Sequence, residues 1–404
     1  MKKCCVIGLG YIGLPTSLLL AKNGIKVIGV DIKEDVINML NIGEIHIIEK
    51  GLKPLLNQSI KSKSFLARNK PEMADVFLIA VPTPFKKNES DIPEPDLSYV
   101  FNAIESIFPF LRKGNLVIIE STSPVGTTDK IAEQIFSRTG LGKDDIHLSY
   151  CPERVLPGNI INELISNDRV IGGFTKKANQ LTKEFYRSFC KGNFNETSSN
   201  IAELVKLTEN SYRDVNIAFA NEISIICDSY NIDVFELIKL CNYHPRVNIL
   251  NPGCGVGGHC IAVDPWFIVS SNPIDSNLIK MSRNINDNKK TFVIRKVIEI
   301  NDLLEQKLNR KPKIACMGLA FKPDVDDIRE SPAMKITEHL ILQDLLIYPC
   351  DPNVSERLEI KNYPIDFVLK NVDLFVFLVG HSAFEKLSIN KELYLDFCGL
   401  FSHK

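Results

Sequence analysis

The stretch Gly8-Leu9-Gly10-Tyr11-Ile12-Gly13 follows the apolar run Cys4-Cys5-Val6-Ile7 and opens onto a segment carrying Leu18, Leu19 and Leu20. An apolar run, a G-x-G-x-x-G turn and a second apolar run read as strand, turn and helix. Gly8 allows a tight turn, Gly10 lets the backbone come close to a pyrophosphate, and Gly13 lets helix and strand pack against each other. The helix start, with Tyr11 and Ile12 inside the turn, presents N–H groups and a partial positive charge to phosphates. Glycines alone are a weak signal. Asp31 strengthens it, because it closes the second expected strand about 20 residues on, where a carboxylate accepts from ribose hydroxyls. That carboxylate would repel a 2′-phosphate, so the expected cofactor is NAD rather than NADP.

Beyond that turn, short β-rich runs alternate with helical stretches. Strands are expected at residues 4–7, 26–31, 76–81, 116–120, 146–150 and 170–171, with amphipathic segments at 14–23 and 96–110. This is the βαβ pattern of a parallel, doubly wound sheet. Two loops at strand ends, Val81-Pro82-Thr83-Pro84 and Ser121-Thr122-Ser123-Pro124, fall on the carboxyl edge where such sheets bind ligands. By spacing alone they are equally readable as plain proline-shaped turns.

From about residue 200 the pattern changes. Residues 201–230, free of Gly and Pro, read as one long helix, and residues 276–309 as another, with a Gly/Pro-rich loop between. Sheet character returns at 314–317, 346–349 and 374–379, with a helix after Pro332. The expected organisation is a sheet domain over 1–195, a helical middle over 196–305 and a second sheet domain over 306–404. On the long helix, the apolar stripe Ile217, Ala220, Ile223 and Ile226 is equally a dimer face or intrachain core.

A chain of 404 residues suggests two or three domains, and 45% hydrophobic with 24% charged residues is a globular composition. A net charge of −1 argues against nonspecific binding to nucleic acid. No uncharged apolar run reaches the roughly 18 residues of a membrane span. The N-terminal apolar residues run straight into the glycine turn without a small-residue cleavage site, so they read as a strand and not a signal peptide. The eleven cysteines are odd in number, scattered, and lack a C-x-x-C pair or zinc-like spacing. They read as reduced thiols filling cores in a cytoplasmic protein without a metal site.

Glu203, Lys206, Asn210 and Arg213 stand at i, i+3, i+7 and i+10 of the long helix, hence on one face. Alone, this is more readily a solvated charged face. The loop NPGCGVGGHC, residues 251–260, changes the reading. Its glycines at 253, 255, 257 and 258 mean that the backbone approaches something closely. Cys260 at its end, beside His259 and near Asp264, has the polar surroundings a thiolate nucleophile needs. Cys254, among glycines with no base in view, is the weaker alternative.

Six blocks, GLGYIGLP (8–15), ESTSPVGTT (120–128), CPERVLPGN (151–159), ELVKLTEN (203–210), PGCGVGGHCIAVDP (252–265) and GLAFKPDVDDIRESPA (318–333), together resemble the UDP-glucose/GDP-mannose dehydrogenase family across essentially the whole chain. The run Tyr243-His244-Pro245-Arg246-Val247-Asn248 and the run GGHCIAVDPWF look most like members that oxidise UDP-N-acetyl-D-mannosamine. Members acting on UDP-glucose typically have Ser before the cysteine and Pro-Lys-Asp after it. Here His259 and Ile261-Ala262-Val263-Asp264 stand in those places.

The resemblance implies an α/β protein with two doubly wound Rossmann-like domains joined by a helical middle domain with a long central helix. It implies a four-electron oxidation of a sugar C6 alcohol with two NAD⁺. In that scheme Cys260 captures the aldehyde as a thiohemiacetal, which becomes a thioester that water hydrolyses. By motif, Lys206 and Asn210 stabilise the oxyanion, Asp264 and Glu153 position or activate water, and Thr122 helps through a bound water. Lys206, Asn210, Arg154, Val155, Arg213, His244, Arg246 and Gly257 would surround the sugar and diphosphate. Phe321 and Lys322 would lie on the uridine-diphosphate side. Arg329 would join Gly8, Gly10, Tyr11, Ile12, Gly13, Asp31, Thr83 and Thr122 on the cofactor. A homodimer is also implied, with Arg246 reaching a partner's site.

The sugar itself stays open, because glucose, N-acetylglucosamine, N-acetylmannosamine and N-acetylgalactosamine differ at one or two ring centres. Two other classes share some of these features. A non-catalytic nucleotide-sugar-binding regulator would not need the intact Cys260, Lys206, Asn210 and Asp264. A two-electron 3-hydroxyacid dehydrogenase shares the glycine turn and a helical Lys–Asn pair but needs no cysteine.

Overall fold

The computed structural model describes residues 1–47, 49–86, 92–156, 158–354, 360–390 and 394–401, so Pro157 of the CPERVLPGN block lies outside it. The chain divides into two compact units, Met1–Thr208 and Glu209–Lys404. The helix Ser199–Ser229 runs through the division.

In the first unit, eight described strands form one sheet: β1 (Lys3–Ile7), β2 (Lys26–Val30), β3 (Phe65–Arg68), β4 (Val76–Ile79), β5 (Leu116–Ile119), β6 (His147–Tyr150), β7 (Arg169–Gly173) and β8 (Phe194–Ser198). Their order is β3-β2-β1-β4-β5-β6-β7-β8. The chain turns back at β1, so the order reverses between β1 and β4, which is where such sheets bind nucleotides. Alternate residues explain the double winding. Cys4, Val6, Val76, Leu78, Leu116 and Ile118 lie in one core, while Cys5, Ile7, Phe77, Ile79, Val117 and Ile119 lie in the other. Strands buried on both faces must be apolar throughout, which is why they read as continuous apolar runs. The helix Gly13–Lys22 buries Leu18, Leu19 and Leu20 together, as an all-round apolar helix requires.

One expectation needs correction. The sheet is parallel only from β3 to β6; β7 pairs antiparallel with β6, and β8 runs parallel to β7. An apolar pattern reports burial, and direction is decided by the path of the connection, here through the helix Ile160–Ser166. Strands β3 and β8 had no place in the sequence reading. Both are edges, and the sequence Phe-Asn-Glu-Thr-Ser of β8 holds one apolar residue, so the period-2 signal is absent.

In the second unit, the helices Val234–Cys241, Asp264–Ser271 and Asn277–Leu308 precede a described four-stranded sheet of β9 (Lys313–Met317), β10 (Leu346–Cys350), β11 (Leu374–Phe377) and β12 (Tyr394–Asp396). Its order is β10-β9-β11-β12, and all pairs are parallel. Ile314, Cys316, Leu374 and Val376 face one core, and Ala315, Met317, Phe375 and Phe377 the other.

Candidate active site

The turn after β1 is shaped by contacts that forbid side chains. Gly8 has φ +97°, and a Cβ there would sit 2.4 Å from the Ala80 carbonyl oxygen; at Gly13 it would sit 1.9 Å from the Gly8 oxygen. At Gly10 it would meet no described atom within 4 Å. The turn is therefore closed toward the protein at Gly8 and Gly13 and open at Gly10, the cradle a dinucleotide pyrophosphate needs. The Leu9 amide donates to Asp31 Oδ2 at 3.0 Å and the Lys33 amide to Oδ1 at 3.0 Å, so Asp31 is locked onto the turn. Tyr11 packs against the first core. The loops bearing Thr83 and Thr122 are tied together by Ser121, whose hydroxyl donates to the Val81 carbonyl at 2.8 Å and accepts from the Val81 amide at 2.9 Å. These residues fit NAD.

Behind the Thr122 loop, the Glu203 carboxylate accepts from the amides of Gly126 and Thr128 and from the Thr128 hydroxyl, capping the helix Thr127–Thr139. Glu203 is fully buried, and Lys206 and Asn210 are 9% and 8% exposed. The solvated-face reading therefore fails for these three and holds only for Arg213, which is exposed. The Lys206 ammonium donates to the Glu153 backbone carbonyl at 2.8 Å. The Glu153 carboxylate forms a buried ion pair with Arg169. Arg169 also approaches Glu120 at 3.9 Å and lies over the Tyr186 ring, 4.1 Å from its centroid. Tyr186 donates its hydroxyl proton to Glu120 at 2.5 Å. Burial, then the neighbouring Glu153 charge, push the Glu120 carboxyl up to about 8, against the pull of Arg169. Arg154 donates to the Asp168 carbonyl, and Val155 packs on the first core.

In the second unit, Cys260 is the one exposed thiol among the eleven cysteines. Its carbonyl accepts from the Asp264 amide at 2.8 Å, and Asp264 opens the helix Asp264–Ser271. The Asn210 amide donates to Asp264 Oδ2 at 2.6 Å, with Asp264 2% exposed. Cys254 is inert by comparison: burial pushes its thiol up to about 12, and it points at the Leu378 carbonyl.

What the loop glycines approach is now visible. A Cβ at Gly257 would lie 2.7 Å from the Glu330 oxygen and 3.0 Å from Phe321, one at Gly258 2.9 Å from the Phe321 ring, and one at Gly255 2.8 Å from the Asn286 oxygen. Phe321, with the Lys322 ammonium 5.7 Å from its ring centroid, thus backs the cysteine loop. Arg329 is held by Asp327 at 2.6 Å. His244 and Arg246 lie on an exposed stretch, residues 242–248, closed by paired hydrogen bonds between Asn242 and Ile249.

Sequence reasoning missed two devices. The first is a buried chain of hydrogen bonds. Arg283 pairs with Asp214 at 2.6 Å, Asn286 donates to Asp214, and Asn221 donates to Asn286 and accepts from the Gly253 amide, which pins the cysteine loop to two helices. Polar residues spaced along helices give no sign of burial. The second is a repeat of the first turn. Gly318 (φ +91°) follows β9, its amide donates to the Cys350 carbonyl, and the Leu319 amide donates to Asp351 Oδ2 at 2.7 Å. Gly8, Val30, Leu9 and Asp31 do the same after β1. An Asp closing the second strand was the available signal. Buried His381 donates from Nε2 to Asp351, since its Nδ1 accepts from the Asp324 amide at 3.0 Å.

A dinucleotide turn and a second nucleotide-type turn, in a chain that also carries a buried lysine and a solvent-facing cysteine, define an NAD-dependent dehydrogenase of nucleotide-linked substrates. Family models agree domain by domain: the NAD binding domain of the UDP-glucose/GDP-mannose dehydrogenase family matches residues 2–190, its central domain 200–288 and its UDP binding domain 315–402. This chain belongs to that family. It is 48% identical to a UDP-N-acetyl-D-mannosamine dehydrogenase of Campylobacter jejuni, over 98% of this chain and 99% of that one. It is 47% identical to the Escherichia coli K12 protein of that name, over 98% of each. A solved UDP-N-acetyl-mannosamine dehydrogenase from S. aureus superposes with a TM-score of 0.89 at 40% identity, covering 100% of both chains.

Proposed function

We propose that this chain oxidises the C6 alcohol of UDP-N-acetyl-D-mannosamine to the carboxylate through a covalent intermediate on Cys260. The observation that carries the reading is the exposure of Cys260 alone among eleven thiols, on a loop whose glycines lie close against Phe321, Glu330 and Asn286. The relatives' names and the loop sequence around Cys260 support this sugar.

NAD⁺, when bound at the glycine turn, supplies the hydride acceptor for each oxidation. Loss of the hydroxyl proton and of a hydride from C6 leaves an aldehyde. The Cys260 thiolate adds to its carbon, forming a C–S bond and an oxyanion that takes up a proton as the thiohemiacetal. Loss of the second hydride, with that proton, leaves a thioester. Water then adds, the C–S bond breaks, and carboxylate and free thiol are released. Two oxidations at one carbon require the aldehyde to be held, and a thiolate holds it covalently. Lys206 and Asn210 stabilise the oxyanion; the Glu153 carbonyl steadies the first and Asp264 the second. Asp264 and Glu153 position or activate the water, with Thr122 acting through a bound water.

Arg154, Val155, Arg213, His244, Arg246 and Gly257 take the sugar and diphosphate, the arginines by bidentate contact. Phe321 and Lys322 serve the uridine side, and Arg329 joins Thr83, Asp31 and the glycine turn on the cofactor. The functional domains are 1–195, 196–305 and 306–404. The chain works as a homodimer in the cytoplasm. The exposed side chains of Tyr212, Phe219 and Ile226 along the helix Ser199–Ser229 support an intersubunit face there, whereas Ala220 of the sequence-read stripe is buried.

A panel of UDP- and GDP-sugars followed by NADH release tests the reading. Two NADH per UDP-N-acetylmannosamine, with the highest kcat/KM for that sugar, is expected. A better rate with UDP-N-acetylglucosamine or UDP-glucose moves the sugar and keeps the chemistry. One NADH per sugar, or tight binding without NADH, refutes it.

A further inference from the structure

Arg169 has no part in the chemistry above, yet it is a 4% exposed guanidinium between two carboxylates. It stands at the start of β7, the strand that reverses the sheet direction. Glu153 comes from the loop after β6, Glu120 from the end of β5, and Tyr186 from the end of the helix Lys176–Tyr186. Cys151 Sγ lies 3.9 Å from the guanidinium, the Phe189 ring centroid 5.5 Å from it, and Cys4 of β1 is near enough to feel the Glu120 charge. A lone buried carboxylate is costly and neutralises by taking a proton; one beside a guanidinium stays ionised. Burial raises the Glu120 carboxyl, while Arg169 is paired with Glu153. One proton on Glu120 therefore leaves a matched pair of Arg169 and Glu153.

Glu153 has two ends. Its carboxylate is clamped by Arg169, and its backbone carbonyl accepts from the Lys206 ammonium at 2.8 Å. The far end of the same loop is clamped separately: the Gly158 and Ile160 amides donate to the buried Glu49 carboxylate at 2.9 and 3.0 Å. We infer that Arg169 is a positioning residue for Lys206: by fixing the Glu153 carboxylate, it fixes the Glu153 carbonyl that aims the ammonium. Its contacts to Glu153, Glu120 and Cys151 all run through Nη1, while the guanidinium lies over the Tyr186 ring, a placement that lysine's compact ammonium does not reproduce. This rests on the proposed role of Lys206, and the experiment separates the two.

Steady-state kinetics are measured for Arg169→Lys, Arg169→Gln, Lys206→Ala and the double variant Arg169→Gln/Lys206→Ala, with thermal melts for each. Arg169→Lys is expected to fold and to lose about 10- to 100-fold in kcat, with KM for NAD⁺ within about twofold of wild type. The double variant is expected to be no slower than Lys206→Ala, because both changes disable one group. Losses that multiply in the double variant overturn the inference, since Arg169 would then act elsewhere. So does an Arg169→Lys enzyme at full speed beside a crippled Lys206→Ala. If Lys206→Ala is itself fully active, the proposed role of Lys206 fails, and the positioning role with it. Should Arg169→Gln not fold, Arg169→Lys combined with Lys206→Ala replaces it in the cycle. A second readout is the pH profile. Ionisation of Glu120 puts two carboxylates on one guanidinium, so kcat falls on the alkaline side, and Glu120→Gln removes that fall. A profile unchanged by Glu120→Gln counts against the clamp.

Discussion

Cys260 and Cys254 are six residues apart in one glycine loop, and their chemistry is opposite because their surroundings are. Cys254 is sealed in the second unit's core, where burial disfavours the thiolate; Cys260 faces solvent six residues later. Replacing the proposed nucleophile gives the sharpest test at this scale. Cys260→Ser is expected to stop acid formation, releasing at most one NADH per sugar or stalling as an ester, and unchanged turnover to the acid would sink the covalent route. Asp31 offers the second. Its carboxylate is fixed by the Leu9 and Lys33 amides, so it cannot swing away from a 2′-phosphate. Wild type should favour NAD⁺ strongly in kcat/KM, and Asp31→Ser should narrow the preference by about tenfold or more, roughly 1.4 kcal/mol. Equal kcat/KM for NAD⁺ and NADP⁺ in the wild type refutes this reading of Asp31. The residue types and their spacing were legible in the sequence. The partners of Glu203, Glu153 and Glu120 were not, because a carboxylate's neighbours come from other elements.

At the scale of elements, the glycine turn separates fold from function. Gly8→Ala forces a Cβ into the Ala80 carbonyl at a positive φ, and should destabilise the protein by about 3 kcal/mol or more, read as a lower urea midpoint. Gly10→Ala meets open space, so the protein without cofactor should melt within about 0.5 kcal/mol of wild type. Its NAD⁺ Kd, by titration calorimetry, should rise about tenfold or more, and unchanged affinity would remove Gly10 from the cofactor site. The strands that were legible, such as β4 and β5, are those buried on both faces. Edge strand β8 and the reversal at β7 were not, since neither leaves a pattern of apolar residues.

Across the whole molecule, the raised Glu120 carboxyl ties stability to pH. The folded chain keeps this proton up to about 8, whereas the unfolded chain releases it near the ordinary 4.5. The unfolded state therefore binds fewer protons in that window, and stability falls as pH rises, by at most about 1.4 kcal/mol per pH unit. The contribution is complete below the unfolded value and gone above the folded one. Glu120→Gln should gain on wild type steadily between pH 5 and 8 in urea midpoint. A constant difference across that range would show that Glu120 does not carry the proton.

The sequence by itself determined the two winding sheet domains, the long helix Ser199–Ser229, the dinucleotide turn with Asp31, and Cys260 as the thiol to watch. These follow from periodicity and from turn chemistry, which are local. Only the tertiary structure decided that Cys260 is exposed while Cys254 is sealed, that β7 runs backward, and that Asp351 repeats the part of Asp31. It alone gathered Glu120, Glu153 and Arg169 in one buried cluster. Burial and charge pairing depend on residues distant in the chain, and no spacing along the chain encodes a distance in space.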